Sequence, residues 1–113
     1  MKVFNHHVYE YRKGLRDLIL YTTTADNYNV IKNRLERLKI DFLIYRLRTN
    51  NINVFFGEQD CIEIIRKINK DNLKEYTPEE DFILGVMLGY CRKQQCKRYL
   101  KLKENLNILA LSA

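Results

Sequence analysis

Two neighbouring histidines and three scattered cysteines are the residues of this chain that could support metal binding or thiol chemistry. The side chains of His6 and His7 would point in different directions on a helix and to opposite faces on a strand, so the two cannot easily share a metal ion. We therefore expect one histidine to be buried and hydrogen-bonded and the other to be exposed. A metal site that joins one of them to a cysteine elsewhere is the alternative.

The cysteines predict reduced thiols in a cytoplasm, because their number is odd and the N-terminal residues lack the apolar core of an export signal. Cys61 lies on an apolar stripe and is expected to be a small buried side chain. On a helix Cys91 and Cys96 would point apart at a wide angle, which does not favour a shared zinc ion. Cys96 lies between Lys93 and Lys97, and nearby positive charge favours a reactive thiolate. A reactive thiol is thus an alternative to a plain surface cysteine.

The most one-sided charge feature is a cationic segment that follows Cys91 and contains no acidic residue before Glu104. Its basic residues are Arg92, Lys93, Lys97, Arg98, Lys101 and Lys103. The simplest interpretation is a solvated helix face. The alternatives are a docking surface for an acidic protein and, less favoured, a nucleic-acid interface. Base stacking on single-stranded nucleic acid needs interleaved aromatic rings, and the segment supplies only Tyr99, with Tyr90 just before it.

Two sets of candidate functional residues follow from these features. The candidate binding surface comprises Arg92, Lys93, Cys96, Lys97, Arg98, Tyr99 and Lys101. The candidate pocket comprises His6, His7 and Tyr90. No serine or cysteine has a recognisable base beside it, and no glycine-rich phosphate loop is present. We therefore assign no catalytic or metal-binding residue, expect no cofactor and lean against an enzyme.

The cationic segment follows the strongest helix-start signal in the chain. Thr77 is a good N-cap, Pro78 falls at the first helical position, and Glu80 completes a capping box. The run from Phe82 to Cys91 is apolar all round, which predicts a helix buried on most sides. It is far too short to cross a bilayer. After this run, either the helix continues into solvent or a second helix begins beyond Gly89.

Composition predicts one cytoplasmic domain over residues 1–113. The chain has 113 residues, 46% of them hydrophobic, and a formal charge of +6, with a pI near 9.3. This charge favours an acidic partner, and no segment is long enough to span a membrane. Residues 105–113 are leucine-rich but uncapped, so we expect a loosely ordered tail.

The remaining pattern predicts an α+β fold. The predicted elements are a helix over 4–13, a strand from Leu18, a helix up to Lys39, a hairpin of strands over 41–48 and 52–56, a helix over 58–69 and a long C-terminal helix. A strand is the alternative for the first element. The strands favour a small, largely antiparallel three-stranded sheet with a ferredoxin-like βαββα core, helices on one face and the third strand in the middle. The stripe expected to face inward on the helix over 58–69 is Cys61, Ile64, Ile65 and Ile68.

Several stretches resemble a family of short bacterial proteins known only as a domain of unknown function. They are His6–Tyr11 with Lys13–Arg16, Asn53–Gly57, Thr77–Gly85 with Leu88–Tyr90, and Gln95–Tyr99. The resemblance covers roughly residues 3 to 100. It implies a stand-alone cytoplasmic α+β protein, with some members encoded near a flavodoxin, and it supplies no reaction and no catalytic residues. The family pattern has an acidic residue where this chain has Cys91.

Three hypotheses about function remain. The first is a small cytosolic accessory protein whose basic C-terminal helix contacts an acidic partner, such as a flavodoxin-type redox protein. The second is a nucleic-acid-binding regulator that uses the same surface. The third is a metal- or thiol-dependent enzyme that uses His6 or His7, Tyr90 and Cys96.

Overall fold

The computed structural model describes residues 1–112, and Ala113, the last residue of the predicted tail, lies outside the described residues. Its main elements, in chain order, are α1 (Lys2–Arg12), β1 (Leu18–Thr24), α2 (Tyr28–Arg37), β2 (Asp41–Arg46), β3 (Asn51–Gly57), α3 (Gln59–Ile68), α4 (Pro78–Met87) and α5 (Arg92–Ser112). Short 3-10 turns precede α2 and α4.

The strands form one antiparallel sheet in the order β1–β3–β2. Leu18 of β1 and Asp41 of β2 lie on either side of Gly57 at the end of β3. The third strand therefore lies between the first two, and the predicted α+β fold is confirmed. It takes the central place because Ile52–Phe56 is buried at every position, as expected of a strand that is covered on both faces.

Helices cover both faces of the sheet, so the expectation that they lie on one face was wrong. One core, between the sheet and the helices α1 and α2, contains Phe4, Val8, Ile19, Ile31, Leu35, Ile40, Ile52, Val54 and Phe56. The other core, between the sheet and the helices α3 and α4, contains Leu18, Phe55, Ile62, Ile65, Leu84 and Leu88. Successive side chains of a strand point to opposite faces. An apolar strand such as β3 therefore requires cover on both.

The N-terminal segment is the helix α1, and the alternative of a strand was wrong. Phe4 and Val8 are buried against the sheet, with exposed fractions of 0% and 4%. The helix stops just before Gly14, which has a φ of +75°. Glycine adopts this left-handed conformation without the steric cost that a Cβ imposes.

The buried stripe of α3 differs by one position from the prediction. Ile62 and Ile65 are buried, whereas Ile64 is 40% exposed. Cys61 is half-buried, and burial raises the pKa of its thiol. The prediction spaced the stripe correctly but placed Ile64, rather than Ile62, on the inner side.

The start of α4 has the predicted capping box. The hydroxyl of Thr77 accepts a hydrogen bond from the Glu80 backbone N–H at 3.1 Å, and the Glu80 carboxylate accepts one from the Thr77 backbone N–H at 2.9 Å. Pro78 occupies the first helical position. These contacts satisfy donors that an isolated helix end would leave unpaired.

The apolar run from Phe82 to Cys91 is only partly buried, which corrects the prediction that it is buried on most sides. Leu84 and Leu88 face the core, but Ile83 and Val86 are 41% and 42% exposed. The helix α4 packs against the second core on one side and against α5 on another. Its remaining side stays open to solvent.

The long C-terminal helix is separate from α4. The chain leaves α4 through Gly89, at a φ of +82°, and α5 begins at Arg92. Residues 105–112 belong to α5, and the side chains of 105–111 are exposed; the predicted looseness of this end stays a prediction. None of the helices within residues 1–112 is long and apolar enough to cross a membrane.

Candidate functional site

The candidate binding surface lies on a hairpin formed by the antiparallel helices α4 and α5. The two helices approach closely at Gly85, because a Cβ at this position would lie 2.0 Å from Oε1 of Gln95. Gln95 is buried at this contact, with 9% of its surface exposed. The Phe82 and Tyr99 rings meet further along the hairpin with centroids 5.8 Å apart.

Two of the six cationic residues of the segment Arg92–Lys103 are paired with carboxylates of α4. The Arg98 guanidinium donates two hydrogen bonds to the Asp81 carboxylate, at 2.7 and 2.9 Å. The Lys103 ammonium lies 3.2 Å from a Glu79 carboxylate oxygen. The charges of Arg98 and Lys103 are therefore already compensated within the chain.

The hydrogen bonds to Glu79 and Asp81 also shift pKa values on both helices. Tyr99 donates its hydroxyl to Glu79 at 2.7 Å. This hydrogen bond, followed by the one from Lys103, lowers the pKa of Glu79, and the same bond raises the pKa of Tyr99. The hydrogen bonds to Asp81 raise the pKa of Arg98. The lowered pKa favours the ionised form of Glu79, which binds Tyr99 and Lys103 of α5.

The other four cationic residues of the segment form no ion pair with a carboxylate of α4. Arg92, Lys93, Lys97 and Lys101 are exposed, and no carboxylate of the described chain lies within ion-pair distance of them. Lys93, Lys97 and Lys101 are spaced four residues apart, which places them in one row along the helix. We call this row of three lysines, together with Arg92 at the start of the helix, the outer cationic face of α5.

The structure therefore divides the predicted binding surface in two. Arg92, Lys93, Lys97 and Lys101 form the outer cationic face, whereas Arg98 and Tyr99 bind α4. Cys96 is exposed but lies in an apolar groove beside that face. The groove has a volume of about 540 Å³ and is lined by Glu79, Phe82, Ile83, Cys96, Tyr99 and Leu100.

The residues of the candidate pocket do not meet. The ring of His7 lies 5.7 Å from that of Tyr21, which packs against the core under α1 and α2. Tyr90 lines a cavity of about 310 Å³ with Leu20 and Gln95, on the face of the sheet that α3 and α4 cover. His6 and His7 are therefore separated from Tyr90 by the sheet.

The environments of the two histidines differ. The side chain of His6 is 69% exposed, and that of His7 is 21% exposed. Burial, and then the charge of Arg16, lowers the pKa of His7, which favours its neutral form. Across residues 1–112, no three His, Cys, Asp or Glu side chains are close enough together to hold a metal ion.

Sequence reasoning missed Glu79 and Asp81 as binding partners of α5. Their place in the first turn of α4 is explained by the positive end of the helix dipole, which hid their second role. The order of the two helices along the chain could have revealed this binding role, because a helix hairpin brings the start of α4 beside the middle of α5. Acidic residues at one place and basic residues at the other then meet.

Comparison with known families finds that residues 2–102 match the family described as "Protein of unknown function (DUF2023)". This match covers most of the chain and confirms the resemblance seen in the sequence. No curated protein matches the chain.

Proposed function

Since the chain belongs to the DUF2023 family, whose description assigns no activity, we propose a function from the geometry of α5. The protein is a small cytoplasmic accessory protein of a bacterium that binds an acidic protein through the outer cationic face of α5. A flavodoxin-type redox protein is the class of partner that the family resemblance suggests. The observation that carries this proposal is that Arg92, Lys93, Lys97 and Lys101 lack ion pairs with the carboxylates of the described residues.

The spacing of these charges supports a partner. Lys93, Lys97 and Lys101 follow each other at intervals of four residues, and like charges at this spacing oppose each other along a helix. Carboxylates of a bound protein would relieve this repulsion. They would also speed association, because complementary potentials steer two proteins together.

The geometry favours an acidic protein over nucleic acid. Tyr99 was the aromatic residue within the cationic segment that could stack on a base. Its hydroxyl is bound to Glu79 and its ring packs against Phe82, so stacking would require breaking the α4–α5 contact. The outer cationic face therefore offers charge without a stacking platform.

The geometry also gives little support to the enzyme hypothesis. That hypothesis needs His6 or His7 near Tyr90 and Cys96. The sheet separates the histidines from Tyr90, and Cys96 opens into the groove between α4 and α5. No shared pocket supports a common reaction.

Affinity capture from native bacterial lysate at low salt tests the proposal. Wild-type protein is expected to recover one main acidic protein, and Lys97→Glu/Lys101→Glu is expected to lose it. Lys67→Glu/Arg37→Glu makes the same change of charge at exposed positions on α3 and α2 and should retain the partner.

The outcome that contradicts the proposal is equal recovery of the acidic protein by all three forms of the chain. Recovery of DNA or RNA in its place, lost with the α5 charge reversals and steeply weakened by salt, would establish the nucleic-acid alternative.

A further inference from the structure

The C-terminal end of α5 differs in chemistry from its cationic half. After Glu104 the helix carries no charged residue up to Ser112 and reads Asn-Leu-Asn-Ile-Leu-Ala-Leu-Ser. Leu106 is 49% exposed and Leu111 is 89% exposed. Leucine and isoleucine occur on several sides of this stretch, and a helix that is apolar on several sides is normally buried. We call residues 105–112 the apolar end.

The apolar end extends beyond the hairpin. Lys103 pairs with Glu79, in the first turn of α4, so the residues that follow have passed the end of α4. At about 1.5 Å per residue, they extend α5 by roughly 12 Å. The helix that covers the first half of α5 is therefore too short to cover the second half.

The groove between α4 and α5 is an apolar site immediately next to this end. Its wall includes Ile83 and Leu100, which are 41% and 65% exposed. One acidic residue, Glu79, also lines it, and that carboxylate is bound to Tyr99 and Lys103. The groove thus presents a mainly apolar surface between two helices, which suits an inserted apolar helix.

We propose that the protein forms a symmetric dimer in which the apolar end of each copy packs in the α4–α5 groove of the other. One wall of the groove and the apolar end both belong to α5, so one two-fold axis near Glu104 satisfies both contacts at once. In this antiparallel arrangement, residues 105–112 of one copy lie opposite residues 96–103 of the other.

The charge distribution selects a second copy in this orientation. A parallel pair would place the cationic halves of two α5 helices side by side. The antiparallel pair places each cationic half beside an uncharged end. An acidic partner, in contrast, would find no basic residue on the apolar end.

The dimer does not depend on the proposed function. The outer cationic face comprises Arg92, Lys93, Lys97 and Lys101, whereas the dimer uses the groove and the apolar end. Salt should weaken capture of an acidic partner, but it should leave an apolar dimer contact largely intact. The two proposals can therefore fail separately.

Sedimentation equilibrium of the purified chain tests the dimer. Wild-type protein is expected to show the mass of two chains over a wide range of concentration, at both low and high salt. Leu106→Glu/Leu111→Glu alters the end and Ile83→Glu/Leu100→Glu alters the groove. Each should raise the Kd of the dimer roughly thirtyfold or more. Leu15→Glu replaces a remote leucine that is 67% exposed and should leave the dimer unchanged.

Mixing the two altered forms tests the exchange directly. The groove variant keeps an intact end and the end variant keeps an intact groove, so the mixture can form one of the two contacts. A tagged groove variant should therefore retain the end variant more strongly than either form retains itself. Far-UV circular dichroism and thermal unfolding should show that each variant is folded.

The proposal is overturned if wild-type protein is monomeric throughout, or if the dimer persists undiminished in both altered forms. It is also overturned if the mixture shows no more association than the separate variants. Binding of monomeric wild-type protein to lipid vesicles, lost in Leu106→Glu/Leu111→Glu, would assign the apolar end to a membrane surface instead.

Discussion

The Arg98 guanidinium and the Asp81 carboxylate form a bidentate ion pair between α5 and α4. Nε of Arg98 donates to Oδ2 of Asp81 at 2.7 Å, and Nη2 donates to Oδ1 at 2.9 Å. This pair directs Arg98 toward α4 and adds to the close contact of Gly85 with Gln95, which sets the rotation of α5. Lys97 follows the buried Gln95 by two residues and therefore lies on the opposite side of the helix from that contact.

We expect Arg98→Lys to destabilise the hairpin, because a lysine ammonium cannot make both hydrogen bonds to the carboxylate. Arg98 is 58% exposed on its side chain, so solvent screening limits the loss to about 0.5–1 kcal/mol. Urea denaturation followed by circular dichroism measures it. The matched change Lys97→Arg on the outer cationic face should leave the free energy of unfolding nearly unchanged. An equal loss in both variants would contradict the structural role of the pair.

Gly85→Ala should destabilise the wild-type protein and stabilise a Gln95→Ala variant. In the first case the new Cβ would lie 2.0 Å from Oε1 of the buried Gln95, and displacing that side chain costs about 1–2 kcal/mol. In the second case the amide is gone and alanine gains up to about 1 kcal/mol in helix propensity. A double-mutant cycle in urea measures the coupling. If Gly85→Ala changes the free energy of unfolding in the same direction in wild-type and in Gln95→Ala protein, the Gln95 side chain is not what blocks the new Cβ.

Gly57→Ala should be far more harmful than Gly14→Ala. A Cβ at Gly57 would lie 2.2 Å from the backbone oxygen of Asp17, which cannot rotate away, whereas a Cβ at Gly14 would meet nothing within 4 Å. Both glycines have positive φ, so both substitutions cost about 1 kcal/mol from backbone strain. We expect Gly57→Ala to lose about 3 kcal/mol or more in total. Equal thermal unfolding temperatures for the two variants would refute this.

The capping box should make stability depend on acid pH. Glu80 accepts hydrogen bonds from Lys70 Nζ at 2.6 Å and from the Thr77 backbone N–H at 2.9 Å. The bond from Lys70, and then the one from Thr77, lowers the pKa of Glu80 below its ordinary value of 4.5. A carboxyl group whose pKa is lower in the folded state stabilises the fold above its ordinary pKa. That contribution disappears as the pH falls through the lowered value.

Glu80→Gln isolates this contribution, since glutamine can still accept from the Thr77 backbone N–H. Wild-type protein should be more stable than Glu80→Gln at neutral pH, and the difference should vanish as the pH falls well below 4.5. Urea denaturation at a series of pH values measures both forms. A difference that stays constant down to the lowest pH would show that the charge of Glu80 contributes nothing.

The sequence was most informative where local chemistry determines structure. Thr77, Pro78 and Glu80 marked the start of α4. Runs of β-forming residues identified the strands, and the order of strands and helices predicted the central place of β3. The predicted stripe on α3 failed at Ile64, because Ile62, Ile64 and Ile65 offer two apolar stripes of similar quality. Packing against the sheet selects Ile62 and Ile65, and the sequence contains no signal for that choice.

The sequence predicted which segment carries the candidate site, but not which of its side chains are free to bind a partner. The charge run located the helix that carries the exposed lysines, yet it could not show that Arg98 and Lys103 bind Asp81 and Glu79 of α4. That distinction depends on the rotation of α5 against α4, which the close contact at Gly85 and Gln95 sets. His6 and His7 lie apart from Tyr90, which the sequence could not show, because it does not reveal which face of the sheet each residue occupies.

The most direct test of the central claim is the affinity of the purified protein for a purified flavodoxin-type acidic protein, measured by calorimetry at low and high salt. We predict binding that weakens with salt, is lost in Lys97→Glu/Lys101→Glu, and is retained in Lys67→Glu/Arg37→Glu. Binding that is indifferent to salt and to the α5 charge reversals, or that is lost equally in both variants, would contradict a contact through the outer cationic face of α5.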